Sequence, residues 1–195
     1  MIAFRNIFAL SSLCLLFLCT GCSSEVVTTY WDNHNLRSEI RYDNEKQQHG
    51  EARFYFRTGE LREVSNWSHG KQHGLTQIYY QNGQLMDESN WAEGALEGSA
   101  KFFHQNGNPD YEATFKAGKY EGLYTKYYEA GGKMKEGTYA SGELNGKFQM
   151  WDEKGTLVET SEWKAGKRHG QTERFDETGQ LVEKIAYHQG IPAPK

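Results

Sequence analysis

The stretch GLTQIYYQNGQLMDESNWAEGALE, residues 74–97, decides the fold of this 195-residue chain. Residues 75–80 are rich in side chains that favour strands, and Gln81-Asn82-Gly83 is a hairpin signal. A second strand is predicted over residues 84–91, and residues 92–98, with two glycines, are predicted to close the unit as a turn. The stretch therefore predicts two strands and two turns.

The same pattern recurs every 24 residues. We call the residues at one position of successive repeats a column. Glycine forms three columns: Gly50, Gly74, Gly98, Gly122, Gly146 and Gly170; Gly59, Gly83, Gly107, Gly131, Gly155 and Gly179; and Gly70, Gly94, Gly118, Gly142, Gly166 and Gly190. Two columns are aromatic: Trp31, Tyr55, Tyr79, Phe103, Tyr127, Trp151 and Phe175; and Trp67, Trp91, Phe115, Tyr139, Trp163 and Tyr187. A fifth column is small, with Ser65, Ser89, Ala113, Gly137 and Ser161, and ends in Ile185.

The period divides the chain into a repeat array over residues 30–190 and a tail, 191–195. The array is predicted to contain a partial repeat, 30–49, and six repeats: 50–73, 74–97, 98–121, 122–145, 146–169 and 170–190. Glycine recurs because turns need the left-handed backbone that glycine adopts freely, so all three glycine columns are predicted to lie in turns.

Side-chain pairing favours a three-residue hairpin loop. A loop of residues 81–83 puts Tyr79 opposite Leu85, and the same register pairs Tyr55 with Leu61, whereas a two-residue turn would pair Tyr79 with Met86. This register also predicts Arg53 opposite Glu63.

The same register predicts the two faces of the sheet. Tyr55, Leu61, Ser65 and Trp67 are expected to share one face as a core stripe, and the other face is mixed. The aromatic columns have two interpretations, as core or as rings that stack on sugars or on a partner's side chains. The candidate contact aromatics are Phe56, Tyr80 and Tyr128, on the mixed face.

Composition agrees with an ordered chain that does not bind nucleic acid. The mean hydropathy is −0.82, but 5 Trp, 12 Tyr and 10 Phe are far more aromatics than a disordered segment carries. A net charge of −4 and a pI near 6.0 leave no surplus of Lys and Arg for a phosphate backbone.

Residues 1–21 have the anatomy of a signal peptide. The apolar run after Arg5 is about 12 residues long, too short for the roughly 20 that a spanning helix needs. The run ends in Leu-Cys-Thr-Gly-Cys-Ser-Ser, residues 18–24, and small residues directly before a cysteine resemble the lipobox of bacterial lipoproteins. The resemblance implies acyl chains, palmitate among them, on Cys22. The alternative is an ordinary secretory signal that leaves Cys22 as a free thiol.

The positions of the cysteines agree with lipidation. Cys14, Cys19 and Cys22 all lie in or at the end of this segment, so no disulfide is expected in the mature chain. By analogy with Gram-negative lipoproteins, Ser23 implies sorting to the outer membrane of the cell envelope, with the protein facing the periplasm. Residues 22–29 are then expected to form a short tether.

The glycine and aromatic columns together resemble the MORN-repeat variant of many bacterial proteins. The resemblance implies an all-β fold, an elongated single-layer antiparallel β-meander of stacked 24-residue hairpin repeats. Some bacterial proteins with this variant are antitoxin or immunity components of toxin modules, which implies a protein partner. The leading copy differs from the pattern because Asn35 replaces its hairpin glycine.

The sequence contains side chains that could bind a metal ion or catalyse a reaction, but their spacing does not suit these functions. His49, His73 and His169 stand in one column, but neighbours in a column are two strands, about 10 Å, apart, which is too far to share a metal ion. Asp87 and Glu88 are adjacent on a strand and point to opposite faces. No enzyme activity, metal or cofactor is therefore expected.

Two functions follow from these patterns. The first is a lipid-anchored, non-enzymatic scaffold for protein interaction in the cell envelope, with an antitoxin or immunity component as its more specific form. The alternative is a module that binds glycan or peptidoglycan through its aromatic rows.

Overall fold

The computed structural model describes residues 24–194 as fifteen β-strands in one open sheet. The strands follow one another in chain order, and each is antiparallel to the next, so the predicted all-β meander is confirmed. The predicted signal peptide, 1–21, and Cys22 lie outside the described residues. No helix long and apolar enough to cross a membrane occurs in the part that is described.

The strand bounds follow the repeat. They are β1 Glu25–Tyr30, β2 Leu36–Tyr42, β3 Gln48–Tyr55, β4 Leu61–Ser68, β5 Lys71–Tyr79, β6 Leu85–Ala92, β7 Ala95–Phe103, β8 Pro109–Lys116, β9 Lys119–Tyr127, β10 Lys133–Ala140, β11 Glu143–Trp151, β12 Leu157–Lys164, β13 Lys167–Phe175, β14 Leu181–His188 and β15 Ile191–Pro192.

The hairpin within each repeat has the predicted three-residue loop. Tyr80 donates its N–H to the Gln84 carbonyl at 2.8 Å, and Gly83 donates to the Tyr80 carbonyl at 2.9 Å. Tyr79 then pairs with Leu85, as expected. Successive repeats are joined by two-residue turns such as Glu93-Gly94, in which both residues have positive φ, 51° and 82°. This is the type I′ geometry that matches the twist of paired strands.

The first glycine column lies inside strands, so its prediction as a turn column was wrong. Gly98 belongs to β7, where it pairs with Phe115 on β8. On the other side of β7, residues 97–99 lie opposite the single residue Asn90, because the register shifts between Ser89 and Trp91. The column therefore marks a β-bulge, which needs glycine because φ at Gly98 is +83°.

A second bulge separates the predicted core stripe onto two faces. Phe54 pairs with Glu63 and Tyr55 with Leu61, which leaves Arg62 as the extra residue and puts Arg53 opposite Val64 instead of Glu63. The predicted Arg53–Glu63 pair was therefore wrong.

This bulge also changes which residues share a face. Ser65 and Trp67 lie on what we call the first face, and Tyr55 and Leu61 lie on the second face. The Tyr55 hydroxyl donates to Glu39 at 2.8 Å, a residue whose cross-strand partner is Arg53 on the second face. The predicted single stripe of Tyr55, Leu61, Ser65 and Trp67 does not exist.

The most deeply buried residues form a line of small side chains across the first face. Ala52, Ser65, Thr76, Ser89, Ala100 and Ala113 are paired directly from one strand to the next and are each 5% exposed or less. Tryptophan covers this line. Trp67 Nε1 donates to Ser65 Oγ at 3.0 Å, and Trp91 and Trp163 make the same bond to Ser89 and Ser161 at 3.1 and 2.9 Å.

Both ends of the array differ from prediction. Strand β1 begins at Glu25, inside the predicted tether 22–29, and pairs along its length with β2. In the first loop the left-handed residue is His34, with φ 68°, and not Asn35, because the loop starts one residue early at Trp31. At the other end, Ile191–Pro192 in the tail pairs with β14.

The bulge glycine offers a test of this backbone geometry. Replacing Gly98 with alanine should lower the free energy of unfolding by about 1–2 kcal/mol, because a left-handed backbone is costly for any residue with a Cβ. The nearest atom to that Cβ is 4.0 Å away, so the loss would come from the backbone and not from crowding. Urea unfolding measures the effect, with Ser99→Ala, an exposed neighbour on β7, as the control. Equal stability of the two variants would contradict the bulge assignment.

Candidate interaction surface

Six aromatic rings meet on the first face of the middle strands, β7 to β10. The closest are Phe102 and Tyr111, stacked at 4.2 Å between ring centroids, and Phe115 and Tyr120 at 4.7 Å. Tyr120 and Tyr124 lie 5.5 Å apart, and each also contacts Tyr139, at 5.2 and 5.8 Å. The central aromatic patch is defined by these residues: Phe102, Tyr111, Phe115, Tyr120, Tyr124 and Tyr139.

The patch exists because large residues enter the buried line of small ones. Tyr124 pairs with Ala113 and stands where other repeats have Thr76 or Ala100. Its partner on β10 is Gly137, and a Cβ at Gly137 would lie 2.9 Å from both Leu144 Cδ2 and Phe148 Cδ2. The missing side chain at Gly137 therefore leaves room for Leu144 and Phe148 on the strand beyond.

Apolar surface remains open in the patch. Phe115 is 8% exposed and packs with Ala100 and Ala113, while the other five rings are only half-buried. A single-layer sheet has no second layer to cover them within residues 24–194. Half-covered aromatic surface of this kind is typical of interaction sites in soluble proteins.

Two lysines reach over the patch. Lys126 Nζ lies 6.0 Å from the centroid of Tyr111 and 3.0 Å from Asp110 Oδ1, and Lys135 Nζ lies 5.7 Å from the centroid of Tyr124. These distances are within the range of cation–π attraction. The patch therefore combines an apolar centre with a rim of mixed charge, in which Lys126 is paired with Asp110 and Asp87 lies opposite Phe102.

Toward β12 and β13 the first face carries charged side chains. Farther along, Glu159 is almost buried and accepts hydrogen bonds from Arg168 at 2.7 Å and from Arg174 at 3.3 Å. The Arg168 guanidinium also lies over Trp163, 5.4 Å from its centroid. Charge and hydrogen bonds therefore satisfy this part of the face.

Repetition alone did not reveal the patch. Phe102, Tyr111, Tyr120 and Tyr124 belong to neither aromatic column. Tyr111 stands where the other repeats have charged residues, and Tyr124 stands where most of them have alanine or threonine. The sequence signal for the patch was the departure from the repeat pattern, most clearly at Tyr124.

The candidate contact aromatics lie elsewhere, at the starts of hairpin loops. Tyr80 and Tyr128 each donate their hydroxyl to a backbone carbonyl of the next repeat, Phe103 and Trp151, both at 2.7 Å. Phe56 begins the corresponding loop by donating its N–H to the Glu60 carbonyl. Tyr80 and Tyr128 thus tie neighbouring loops together, and a binding role for these three rings stays a prediction.

A separate groove of about 730 Å³ lies beside β11 to β13. Trp163 contributes to its wall, and most of the other lining side chains are polar, among them Asn145, Gln171 and Glu173. The Trp163 indole itself lies over Ser161 on the first face, so the groove offers mainly amide, carboxylate and lysine groups as hydrogen-bond partners.

The histidines meet partners from another column. His49 lies beside His69 of the next turn, with ring centroids 5.0 Å apart, and His169 lies beside His188 at 5.1 Å. The sequence analysis compared His49 and His169 only with residues of their own column. It did not predict these contacts, because His69 and His188 stand at other positions of the repeat.

Burial changes the acidity of the tyrosines in the patch. Loss of solvent raises the pKa of Tyr124 to about 12, and raises the pKa values of Tyr111 and Tyr139 as well, with neighbouring tyrosines as a further cause. Their hydroxyls therefore stay neutral over the physiological range.

These shifts predict a loss of stability at high pH. An unfolded tyrosine ionises near pH 10, whereas Tyr124 keeps its proton in the folded sheet, so its contribution to stability is complete below pH 10 and is lost as pH rises towards 12. Urea unfolding between pH 9 and about 12 should show this fall, and Tyr124→Phe should reduce it. An identical pH dependence in the variant would contradict the proposed environment.

Family comparisons agree with the repeat. The MORN repeat variant matches residues 48–69, 72–93, 96–117 and 168–189, and the MORN repeat matches residues 160–171. No curated protein matches the chain. The matched segments leave residues 118–159 between them, the region in which Tyr124 and Gly137 depart from the pattern. The chain is a MORN-repeat protein, built from a repeat that generally serves as a module for interaction with proteins or membranes.

Proposed function

We propose that this MORN-repeat protein is a lipid-anchored scaffold of the cell envelope that binds a protein partner through the central aromatic patch and catalyses no reaction. The observation that carries the proposal is the patch itself, five half-buried rings with Lys126 and Lys135 over them on a continuous sheet. Aromatic side chains are enriched at protein interfaces because they bury much apolar area with little loss of conformational entropy.

The charge of the rim indicates the chemistry of the partner. Lys135 lies over the Tyr124 ring, and Lys126 lies between Tyr111 and Asp110. Asp110 already pairs with Lys126, so a partner that places apolar side chains on the rings and a carboxylate beside Lys135 would match the surface in shape and in charge. We therefore propose as the ligand a protein surface with an apolar centre and a carboxylate at the place that faces Lys135.

A toxin is the more specific proposal for this partner, with the present chain as its antitoxin or immunity component. Its support is the resemblance to MORN-variant proteins of toxin modules. The sheet suits the task, because a preformed surface pays little ordering entropy on binding and so favours tight complexes.

The proposed site of attachment is the outer membrane, through acyl chains on Cys22, with the sheet facing the periplasm. Only Ser23 and Ser24 separate Cys22 from β1, so the lipid lies at most about 10 Å from the sheet. This is shorter than the eight-residue tether expected from sequence. Six strand spacings, about 30 Å, separate β1 from the first strand of the patch, so the patch would be held clear of the end that carries the lipid.

Replacement of Cys22 tests the anchor. Cys22→Ser should move the protein from the membrane fraction to the soluble fraction, because the acyl chains that hold it on the bilayer would have no thiol to attach to. Fractionation followed by immunoblotting measures the shift, with Cys14→Ser as the control that keeps Cys22. A Cys22→Ser protein that stays with the membrane would overturn lipid anchoring.

Charge reversal at the rim tests the interaction surface. Lys135→Glu should weaken capture of the partner from a solubilised envelope extract by about tenfold, which corresponds to about 1.4 kcal/mol, because carboxylates of the partner would then be repelled. Lys147→Glu is the matched control, since Lys147 lines the separate groove near Trp163. Equal capture by both variants would show that the patch is not the binding site.

A glycan-binding module is the second candidate, favoured by the groove beside Trp163 with its amide and carboxylate side chains. The two candidates are separated by sedimentation with purified peptidoglycan. Sedimentation of the wild-type protein, together with a lack of any protein partner in the capture experiment, would replace the scaffold by the glycan-binding function.

A further inference from the structure

Three potential metal ligands converge where strands β2, β3 and β4 begin or end, near the N-terminal end of the array. Asp43 begins the loop after β2, His49 lies on β3, and His69 is the first residue of the turn after β4. One donor atom from each lies within 4.8 Å of the others. We propose that Asp43, His49 and His69 bind a divalent transition-metal cation of the Zn²⁺ class.

The clearest indication of a ligand is His49. Its Nδ1 atom is buried and has no hydrogen-bond partner, although buried polar atoms are nearly always paired. A ring nitrogen with a free lone pair is the form in which imidazole binds a metal ion. A cation at this point would satisfy the atom.

Asp43 is held in position for the same role. Its Oδ1 atom accepts hydrogen bonds from the backbone N–H groups of Glu45 and Gln47, both at 2.9 Å. The second oxygen, Oδ2, remains to face a cation, and bonds of this kind to the other oxygen orient ligating carboxylates in metal sites. Arg41 lines the same pocket, and Asp43 is the one carboxylate among the described residues that line it.

The repeat itself explains why His49 and His69 meet. In later repeats the residue at the place of His49 reaches the turn residue twenty positions on: Glu97 accepts from the Ala117 N–H at 2.8 Å, and Glu121 from the Ser141 N–H at 2.8 Å. The same relation joins residues 49 and 69. Here both places carry imidazole, and the two rings pack edge to face.

The donor atoms favour a metal ion that is intermediate between hard and soft, such as Zn²⁺. Two imidazoles and a carboxylate are typical ligands of Zn²⁺, which takes nitrogen and oxygen ligands at about 2.0–2.2 Å and has room for water as a fourth ligand. Donor atoms around such an ion lie within about 4 Å of one another, so the site must close slightly. His69 is exposed in a turn, and rotation of its ring can bring it in.

A bound cation would clamp the least regular part of the array. It would join the loop after β2, the strand β3 and the turn after β4, across the junction of the partial repeat with the first full repeat. The loop after β2 lacks glycine and has Lys46 in its left-handed position, with φ 62°. The proposal is independent of the partner that the central aromatic patch binds.

Calorimetric titration with Zn²⁺ tests the site on the full-length chain without a histidine tag. Cys14→Ser, Cys19→Ser and Cys22→Ser are included in every sample, so that thiols do not compete for the metal. The parent chain should bind one equivalent of Zn²⁺, and imidazole nitrogen NMR signals of His49 and His69 should shift on binding. The probe is the metal salt alone.

Three variants each remove one ligand while keeping the local backbone. Asp43→Asn keeps an oxygen that accepts from Glu45 and Gln47, and His69→Asn keeps a residue that tolerates the φ of 46°. His49→Ala removes the buried ring. Each should weaken Zn²⁺ binding by more than about tenfold, the smallest loss expected even for an outer-shell partner. His169→Ala is the matched control, because His169 also packs on a histidine but has no carboxylate in the ligand group.

Several results would overturn the proposal: no Zn²⁺ binding by the parent, unchanged binding in Asp43→Asn and His69→Asn, or an equal loss in His169→Ala. Far-UV circular dichroism checks that each variant folds. If His49→Ala fails to fold, the two surface variants decide the outcome.

Discussion

This sheet depends on tryptophan rings that bury small residues. Each of these tryptophans lies over a small residue of its own strand. Trp67, Trp91 and Trp163 cover Ser65, Ser89 and Ser161 and donate their indole N–H to the serine hydroxyl. A one-layer sheet has no opposing layer. Its buried residues must therefore be covered by large side chains of the sheet's own strands. Serine or alanine beneath the ring leaves the space, and the hydroxyl satisfies the indole nitrogen that would otherwise be buried without a partner.

The same constraint explains the central aromatic patch. Tyr124 and Phe148 both occupy the buried line, on the two strands that pair with Gly137, and the missing side chain at Gly137 leaves room for Leu144 and Phe148. The rings then cover one another instead of a row of small residues, and part of their surface stays open. The apolar surface proposed for partner binding therefore results from a local change in how the sheet buries its own interior.

The sequence predicted the hairpin loops correctly, but it predicted the pairing across strands less well. The three-residue loop and the Tyr79–Leu85 pair were predicted correctly, because a hairpin register follows from a few adjacent residues. The bulge at Arg62 was not predicted, since no residue type marks it, and it moved Tyr55 away from Ser65. The contact of His49 with His69 was missed because the repeat relates residues 24 apart, whereas the turn brings together residues 20 apart.

The sequence by itself determined the period of 24, the all-β class, the hairpin loops and the aromatic columns, because turns and strands depend on side chains that are near in the chain. Only the tertiary structure decided that the first glycine column forms bulges, which rings share a face, and where Asp43, His49 and His69 converge. The physical reason is the alternation of side chains along a strand. One extra residue in a strand moves every later side chain to the opposite face, and only the pairing with the neighbouring strand shows where that residue lies.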